Sequence, residues 1–245
     1  MAAIVGQLEM DAPAGATNVG IIAESATMAS ALSEFSNLQA LLDTSEHWMQ
    51  TPYIWGNYTI VIMPPNYPEG GMSNPLLSYV SPTTIVGDKS QEWTLIREMA
   101  QTWTGNQVTP DNWEDVWMNE GITTFAEREI GALAYTVNES QTSAFVGNTS
   151  LYEATTIIGY RDATYLTLHP VLQGQNPDDA ITIVPFEKGF QLMSFISDNL
   201  IGWSLAQDFV TYYIETHNLK SINAFTGFRK NFNNFIQNSG LYTPT

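Results

Sequence analysis

The sequence contains no cysteine, and this absence removes several kinds of site at once. Without thiolates there is neither a disulfide framework nor a cysteine-bound metal, and the redox compartment of the protein stays open. No apolar run approaches the roughly 20 residues that a membrane-spanning helix needs, so membrane insertion is not expected. The first thirty residues show no basic segment followed by an apolar run. No targeting signal is therefore visible, which favours a cytoplasmic location without excluding an organelle.

Positive charge is also scarce. The chain of 245 residues carries 8 Lys and Arg against 25 Asp and Glu, for a net charge of −17. Such a surface repels phosphate backbones and anionic lipids, so nucleic acid is not an expected partner. It favours solubility or a basic partner. A hydrophobic fraction of 44% with only 13% charged residues indicates a folded protein with one large domain or two lobes.

The first third of the sequence combines a helical pattern with strand patterns. Residues 57–65, "NYTIVIMPP", predict a buried strand that ends at two prolines. Residues 76–87, "LLSYVSPTTIVG", predict one or two further short strands. Before them, a helical period over residues 26–43 predicts one amphipathic helix, and its apolar positions are Met28, Leu32, Phe35, Leu38 and Leu42.

From Ser90 onward the hydrophobic period is helical. A stripe from Ile96 to Trp103 predicts a helix that stops at Gly105-Asn106. A second helix follows "TPDN", and its apolar face contains Glu120, a carboxylate that is either at the edge of the stripe or buried with a partner. The remainder predicts two or three more helices. Strands in residues 1–89 and helices in residues 90–245 indicate an α+β protein with two lobes, and not a doubly wound sheet.

Several blocks of the sequence resemble one enzyme family. The segments "LIREMAQTWTGN" (95–106) and "WMNEG" (117–121) resemble the signature of the gluzincin zinc aminopeptidases, which is His-Glu-x-x-His, then eighteen intervening residues, then Glu. "GGMSN" (70–74), "LHPV" (168–171) and "VPFEKGF" (184–190) also resemble family segments, in the family's order. The blocks are most similar to the catalytic domain of leukotriene A(4) hydrolases. The resemblance implies a thermolysin-like, two-lobed peptidase domain over residues 1–245, without the family's N-terminal β-domain and C-terminal helical domain.

The chain departs from the family at the positions that would carry chemistry. The resemblance places Arg97 and Gln101 where the family has its zinc-binding histidines, so neither zinc nor another cofactor is expected. Arginine has no acceptor lone pair, and glutamine offers only a neutral oxygen. Ser73 stands in place of the glutamate that binds the substrate amine, and Phe186 in place of the tyrosine that supports the oxyanion. A remnant of the substrate groove is expected at Gly70, Gly71, Met72, Ser73 and Asn74.

Three acidic residues keep family positions. The resemblance places Glu98 at the general base, Glu120 at the third zinc ligand and Asp178 at the epoxide-opening aspartate. The departures favour a catalytically inactive homologue, a structural or protein-binding subunit whose partners are other protein subunits of a larger assembly. Two alternatives stay open. One is a hydrolase, of aminopeptidase or epoxide hydrolase type, with an altered metal site, and the other is a peptide-binding module that does not cleave.

One hypothesis explains why an arginine, Arg97, stands where the family has a zinc-binding histidine. If Glu120 is partly buried near position 97, Arg97 supplies the positive charge that zinc supplies in the family, as a forked ion pair with Glu120 or Glu98. The alternative is that Arg97 points to solvent.

Overall fold

A computed structural model describes residues 2–159, 163–180 and 182–241 of the chain. The chain forms two compact units, Met1–Thr102 and Trp103–Thr245. The sequence analysis predicts that the first lobe ends at residue 89, before the helix Glu92–Gln101 begins. That helix packs against strand and helix elements of the first unit, so the first unit extends to Thr102.

The first unit contains a mixed five-stranded sheet. Its strands are β1 (Glu9–Asp11), β2 (Val19–Ala23), β3 (Tyr58–Ile62), β4 (Gly71–Met72) and β5 (Leu77–Val80), in the order β1-β2-β3-β5-β4. The β2–β3 and β3–β5 pairs are parallel, whereas β1–β2 and β4–β5 are antiparallel. All five residues of β3 are buried, as expected for the central strand. Strand β4 lies at the edge of the sheet.

The helices of the first unit are α1 (Ser25–Glu34), α2 (Leu38–Met49) and α3 (Glu92–Gln101), with a 3-10 turn at Pro82–Thr84. The single helix predicted over residues 26–43 is therefore wrong. The helix breaks where Phe35 and Asn37 leave the helical region of backbone space, at φ/ψ of −98°/32° and −88°/1°. Ser36-Asn37 favours such a break because short polar side chains compete for backbone hydrogen bonds. Phe35 and Leu38 on either side of it are both fully buried.

The second unit is mainly helical. A π-helical turn at Thr102–Gln107 follows α3 where the sequence predicted a simple stop. The pair β6 (Val108–Pro110) and β7 (Lys220–Ile222) is parallel. The helices are α4 (Trp117–Ala134), α5 (Val137–Gly159), α6 (Pro177–Ala180), α7 (Val184–Phe195), α8 (Trp203–Thr216) and α9 (Lys230–Asn238). The predicted α+β class is confirmed. Within the described residues, no helix has both the length and the apolar character needed to span a membrane.

Helices α4 and α7 meet through two glycines. A Cβ atom on Gly121 would lie 2.5 Å from the Cα of Gly189, and a Cβ on Gly189 would lie 2.6 Å from the Cα of Gly121. Both distances are too short for real atoms. The backbones therefore approach as closely as they do because neither position carries a side chain.

A buried ion pair fastens α7 to α4 and α5. The guanidinium of Arg128 on α4 donates two hydrogen bonds to the Glu187 carboxylate, at 2.9 and 2.8 Å. It also donates to the hydroxyl and the carbonyl of Ser143 on α5, both at 3.1 Å, and its Cζ lies 4.1 Å from the ring centre of Phe190. Arg128 and Glu187 are 4% and 7% exposed, so this is a desolvated charge pair with its hydrogen bonds satisfied.

Candidate active site

Helix α3, which carries most of the signature residues, is anchored at its start. The buried carboxylate of Glu34 accepts hydrogen bonds from the N–H groups of Gly87 and Lys89, at 2.6 and 2.9 Å. Asn37 donates to the carboxylate of Glu92, the first residue of α3, at 3.1 Å, and accepts from the Lys89 ammonium at 3.4 Å. The loop "GDKS" is thus tied to the end of α1, which fixes where α3 begins.

The signature residues occupy two faces of α3. Arg97 and Gln101 are four residues apart, share one face and are half-buried. Glu98 is only 4% exposed and belongs to the buried face with Leu95 and Met99. A carboxylate in this position is held among core residues, whereas the two neighbouring polar side chains reach the edge of the buried region.

The side chain of Glu98 packs directly on the backbone of Gly71 in edge strand β4. A Cβ at position 71 would lie 2.7 Å from the carboxyl carbon of Glu98 and 2.8 Å from its Cγ. Only glycine leaves room for the carboxylate here. The structure therefore brings together two sequence-predicted site residues, the general-base position and the groove remnant. Ser73 and Asn74 follow on the same segment and are half-buried.

Two tyrosines lie within the electrostatic field of Glu98. Burial raises the pKa of the Tyr58 phenol well above its usual value, the Ser78 hydroxyl opposes this, and the charge of Glu98 raises it further. Burial also raises the pKa of Tyr67, and the negative charges of Glu98 and Glu69 add to that effect. Within this unit, the Glu98 carboxylate therefore packs on a glycine backbone and acts electrostatically on two phenols.

The residues present do not fit a zinc ion of the family type. Arg97 has no lone pair to offer, and Gln101 has only an amide oxygen, whereas catalytic zinc takes three good protein ligands. Across the described ranges, no group of three or more His, Cys, Asp or Glu side chains is arranged to hold a metal.

In the second unit, Glu120 lies in the first turn of α4 and is half-buried. The preceding 3-10 turn, Trp113–Asp115, is capped by Asn112, whose side-chain oxygen accepts from the Asp115 N–H at 3.0 Å. Asn119 donates to the Glu120 carboxylate at 3.4 Å. The partial positive charge of a helix N-terminus favours a carboxylate at this place. The predicted ion pair of Arg97 with Glu120 or Glu98 stays a prediction.

The other predicted site residues of this unit lie on two further helices. Phe186 is half-buried in the first turn of α7, and Asp178 is exposed on the short helix α6. An apolar pocket lies between these helices and the start of α4. Its wall consists of Trp113, Val116, Tyr165, Thr167, Leu168, Pro170, Leu172, Pro177 and Pro185.

The sequence did not predict a polar cluster beside this pocket. His169 Nδ1 lies 2.7 Å from Asp115 Oδ1, and His169 Nε2 lies 3.6 Å from Glu114 Oε2. Asp115 also accepts from the Ala224 N–H at 3.0 Å, and Glu114 accepts from the Leu172 N–H at 2.8 Å. The cluster ties the pocket wall to the turn before α4. No spacing in the sequence signals it, because Asp115 and His169 are 54 positions apart.

Comparison with known families identifies the domain. The model of the peptidase family M1 domain matches residues 33–238, which is most of the chain. The chain belongs to peptidase family M1. The predicted membership in the gluzincin aminopeptidases is confirmed, and the matched range includes α3, β4 and α4.

Relatives of this M1 chain are larger proteins with hydrolase names. It is 37% identical over 174 residues to leucine aminopeptidase 2 of Ajellomyces capsulatus, covering 71% of this chain and 28% of that protein. It is 35% identical over 189 residues to leukotriene A-4 hydrolase of Xenopus laevis, covering 77% and 31%. The structure of yeast LTA4 hydrolase in complex with bestatin superposes with a TM-score of 0.88 at 28% identity, covering 96% and 37%. The chain spans less than a third of the length of these curated relatives.

The comparisons correct one expectation from the sequence. The departures at positions 73, 97, 101 and 186 favoured a protein that is not an enzyme. That prediction is wrong, because the relatives at this level of identity are named leucine aminopeptidase and leukotriene A-4 hydrolase. The error lay in treating the altered ligand positions as decisive.

Proposed function

We propose that this M1 chain is a hydrolase of the aminopeptidase type whose metal-ligand positions are altered and which works without bound zinc. One observation carries the proposal, namely the packing of the Glu98 carboxylate on Gly71 of edge strand β4. An edge strand offers backbone groups to which an extended peptide can add as a further strand. A peptide on β4 would bring an amide bond close to the buried Glu98 carboxylate.

Glu98 is the residue proposed to move the proton. It accepts a proton from a water molecule as the water oxygen attacks the carbonyl carbon. It then donates that proton to the amide nitrogen as the C–N bond breaks, so that an acid and an amine leave. General base catalysis of this kind contributes about 10²- to 10⁴-fold in rate.

Arg97 is the residue proposed to support the developing negative charge. Its guanidinium stays protonated at any physiological pH, and its half-buried side chain lies on the face of α3 next to the face that carries Glu98. A preorganised donor aimed at an oxyanion is worth about 10²- to 10³-fold in rate. Arg97 would take part of the role that the resemblance assigns to the metal and to the family tyrosine that Phe186 replaces. Glu120 and Asp178 keep family positions, and no separate step is proposed for them.

The test is cleavage of aminoacyl amides by the full chain and by Glu98→Gln. The amide removes the proton acceptor with little change in shape, so kcat/KM should fall about 100-fold or more. Glu24→Gln is the matched control, because Glu24 is exposed and lies before α1, away from β4. Equal turnover in the two variants would overturn the role of Glu98. Saturable peptide binding without any turnover by the unaltered chain would replace the proposal with a peptide-binding module.

A further inference from the structure

We propose that the outer face of helix α5 is the interface of a two-fold symmetric dimer, in which α5 packs antiparallel against α5 of a second copy of this chain. The inference concerns association of the chain and does not rest on the proposed hydrolase function. Six positions of α5 carry it, and together they are called the α5 seam: Asn138, Thr142, Phe145, Thr149, Tyr152 and Thr156.

The orientation of α5 on the second unit is set by its inner face. A Cβ atom on Gly147 would collide with the Glu187 carboxylate, so this position faces the buried ion pair. One turn earlier, Ser143 accepts hydrogen bonds from Arg128, and one turn later, Leu151 is buried. Positions four residues apart share one side of a helix, so the opposite side of α5 is left to solvent.

The α5 seam has the spacing of a coiled-coil face. Its positions are separated alternately by four and three residues, which is the a/d repeat that brings one side of a helix against another helix. All six side chains are exposed, and the Phe145 and Tyr152 side chains are exposed to 72% and 74%. Large apolar side chains that remain exposed together on one face mark a surface for protein association.

The threonines of the α5 seam have their hydroxyl groups satisfied within the helix. Each hydroxyl donates to the carbonyl four positions earlier, at 2.8 Å for Thr142, 3.0 Å for Thr149 and 3.1 Å for Thr156. Packing a second helix on these threonines therefore breaks no hydrogen bond and buries their methyl groups. No position of the seam carries a charge, so no ion has to be desolvated either.

The order of large and small side chains makes the seam complementary to itself. We consider two copies of α5 that lie antiparallel about a two-fold axis midway between Phe145 and Thr149. Phe145 of one copy then meets Thr149 of the second copy, and Tyr152 meets Thr142. The two remaining positions of the seam meet each other at its ends. Each aromatic ring thus packs on a threonine, and the two-fold axis repeats every contact, as an isologous interface requires.

The area of the seam is close to what a specific dimer needs. An aromatic side chain buries about 150–250 Å², so four rings exposed to 72% and 74% supply about 450–700 Å² across the interface. The threonines and the flanking Val146, which is 55% exposed, bring the total to about 1,000 Å², the lower limit for a specific interface. We therefore expect a dimer that dissociates on dilution.

Two carboxylates flank the α5 seam on one side and distinguish a second copy from a basic partner. Glu139 and Glu153 are exposed, and each follows a seam position by one residue. In the antiparallel arrangement, Glu139 of one copy lies beside Glu153 of the second copy. Like charges at an exposed rim oppose association, and salt screens them. The dimer should therefore tighten as ionic strength rises, whereas binding of a basic partner would weaken.

Sedimentation equilibrium of the full chain over a range of concentrations tests the interface. We expect a monomer–dimer equilibrium whose Kd rises about 30-fold in Phe145→Ala or Tyr152→Ala, as for a central aromatic residue of an interface. Both changes remove exposed side chains, so the fold should persist, and circular dichroism verifies this. Phe225→Ala is the matched control, because Phe225 is 63% exposed but lies on the turn before α9.

The lack of cysteine in the chain allows the register to be measured with single cysteines and a short bismaleimide cross-linker. At a rise of 1.5 Å per residue, the two copies of position 149 lie about 6 Å apart along the helix axes, and those of position 156 about 27 Å apart. Thr149→Cys should therefore form a cross-linked dimer, and Thr156→Cys should not. The two changes are matched, since both remove an exposed threonine with the same internal hydrogen bond.

The outcomes decide both the occupant of the face and its orientation. Cross-linking at position 149 alone, with a dimer weakened by Phe145→Ala and by Tyr152→Ala but not by Phe225→Ala, would support the inference. A chain that is monomeric at every concentration, or a dimer unaffected by the two α5 changes, would overturn it. Equal cross-linking at positions 149 and 156 would refute the antiparallel arrangement. A dimer that dissociates on addition of salt would also contradict it.

Discussion

Glu98 and Gly71 are in contact across the gap between helix α3 and edge strand β4. The carboxyl carbon of Glu98 lies 2.7 Å from the place where a Cβ of residue 71 would be. This contact links the residue with proton-transfer chemistry to the strand edge on which a peptide can lie. It also makes the smallest possible side chain at position 71 a requirement of the site.

Gly71→Ala should therefore impair the site without unfolding the chain. The added methyl group forces the Glu98 carboxylate to move, and displacement of a catalytic group by about 1 Å can cost about 10²-fold in rate. We expect kcat/KM for an aminoacyl amide to fall by about that factor, with the Tm nearly unchanged. Gly6→Ala is the control, because its methyl group would meet only Leu8 at an ordinary 3.5 Å. Unaltered kinetics in Gly71→Ala would show that the position of Glu98 does not matter.

Breaking the ion pair between Arg128 and Glu187 should lower the free energy of unfolding of the second unit substantially. Arg128→Met leaves the Glu187 carboxylate buried without its partner, and such a loss costs about 3–5 kcal/mol. We expect urea denaturation to show a decrease of that size in the free energy of unfolding. The double variant Arg128→Met, Glu187→Met should recover much of it, because no charge is then left buried.

Arg229→Met is the matched control for this cycle, since Arg229 is exposed at the end of the turn before α9. An effect of the same size in Arg229→Met and Arg128→Met would mean that the loss reflects net charge alone. Strictly additive effects of the two single changes would show that Arg128 and Glu187 do not stabilise each other.

Glu129 should make stability fall as pH rises. Burial raises the pKa of its carboxyl, the Trp203 indole N–H opposes this by donating a hydrogen bond, and the Asp198 charge raises it again. A carboxyl with a raised pKa binds its proton more tightly in the folded state. The favourable contribution is therefore present at low pH, and it is lost as pH rises from the unfolded to the folded pKa.

Glu129→Gln removes this titration and keeps an oxygen that accepts from Trp203. We expect the variant to exceed the unaltered chain in free energy of unfolding at pH 7, and the difference to shrink toward pH 4. Thermal denaturation across that range measures it. Glu153→Gln on the exposed side of α5 should give no such pH-dependent difference. A variant of Glu129 that is less stable at pH 7 would reverse the assigned sign.

The sequence predicted those strands and helices in which the order of apolar residues follows directly from which side chains are buried. Strand β3 reads as an apolar run because all its residues are buried, and α3 shows a helical stripe because one face is buried. Helix α5 gave no such signal. Large side chains at Phe145 and Tyr152 are exposed on it, at 72% and 74%, so apolar positions do not mark an inner face.

The candidate site was predicted only as far as the resemblance extended. Residues 97, 98, 101 and 120 were located by register within the signature. The contact of Glu98 with Gly71 joins residues 27 positions apart, and no local pattern encodes it. The conclusion about activity was wrong because it rested on residue identity at the ligand positions alone, whereas relatives at 35–37% identity are named leucine aminopeptidase and leukotriene A-4 hydrolase.

The most direct test of the account is cleavage measured together with metal content in one preparation. The unaltered chain and Glu98→Gln are treated with a chelator, assayed on an aminoacyl amide, and analysed for zinc by mass spectrometry. The account predicts turnover by the unaltered chain without bound zinc, and a loss of about 100-fold or more in Glu98→Gln. Turnover that disappears on chelation and returns with zinc, or that survives in Glu98→Gln, would contradict it.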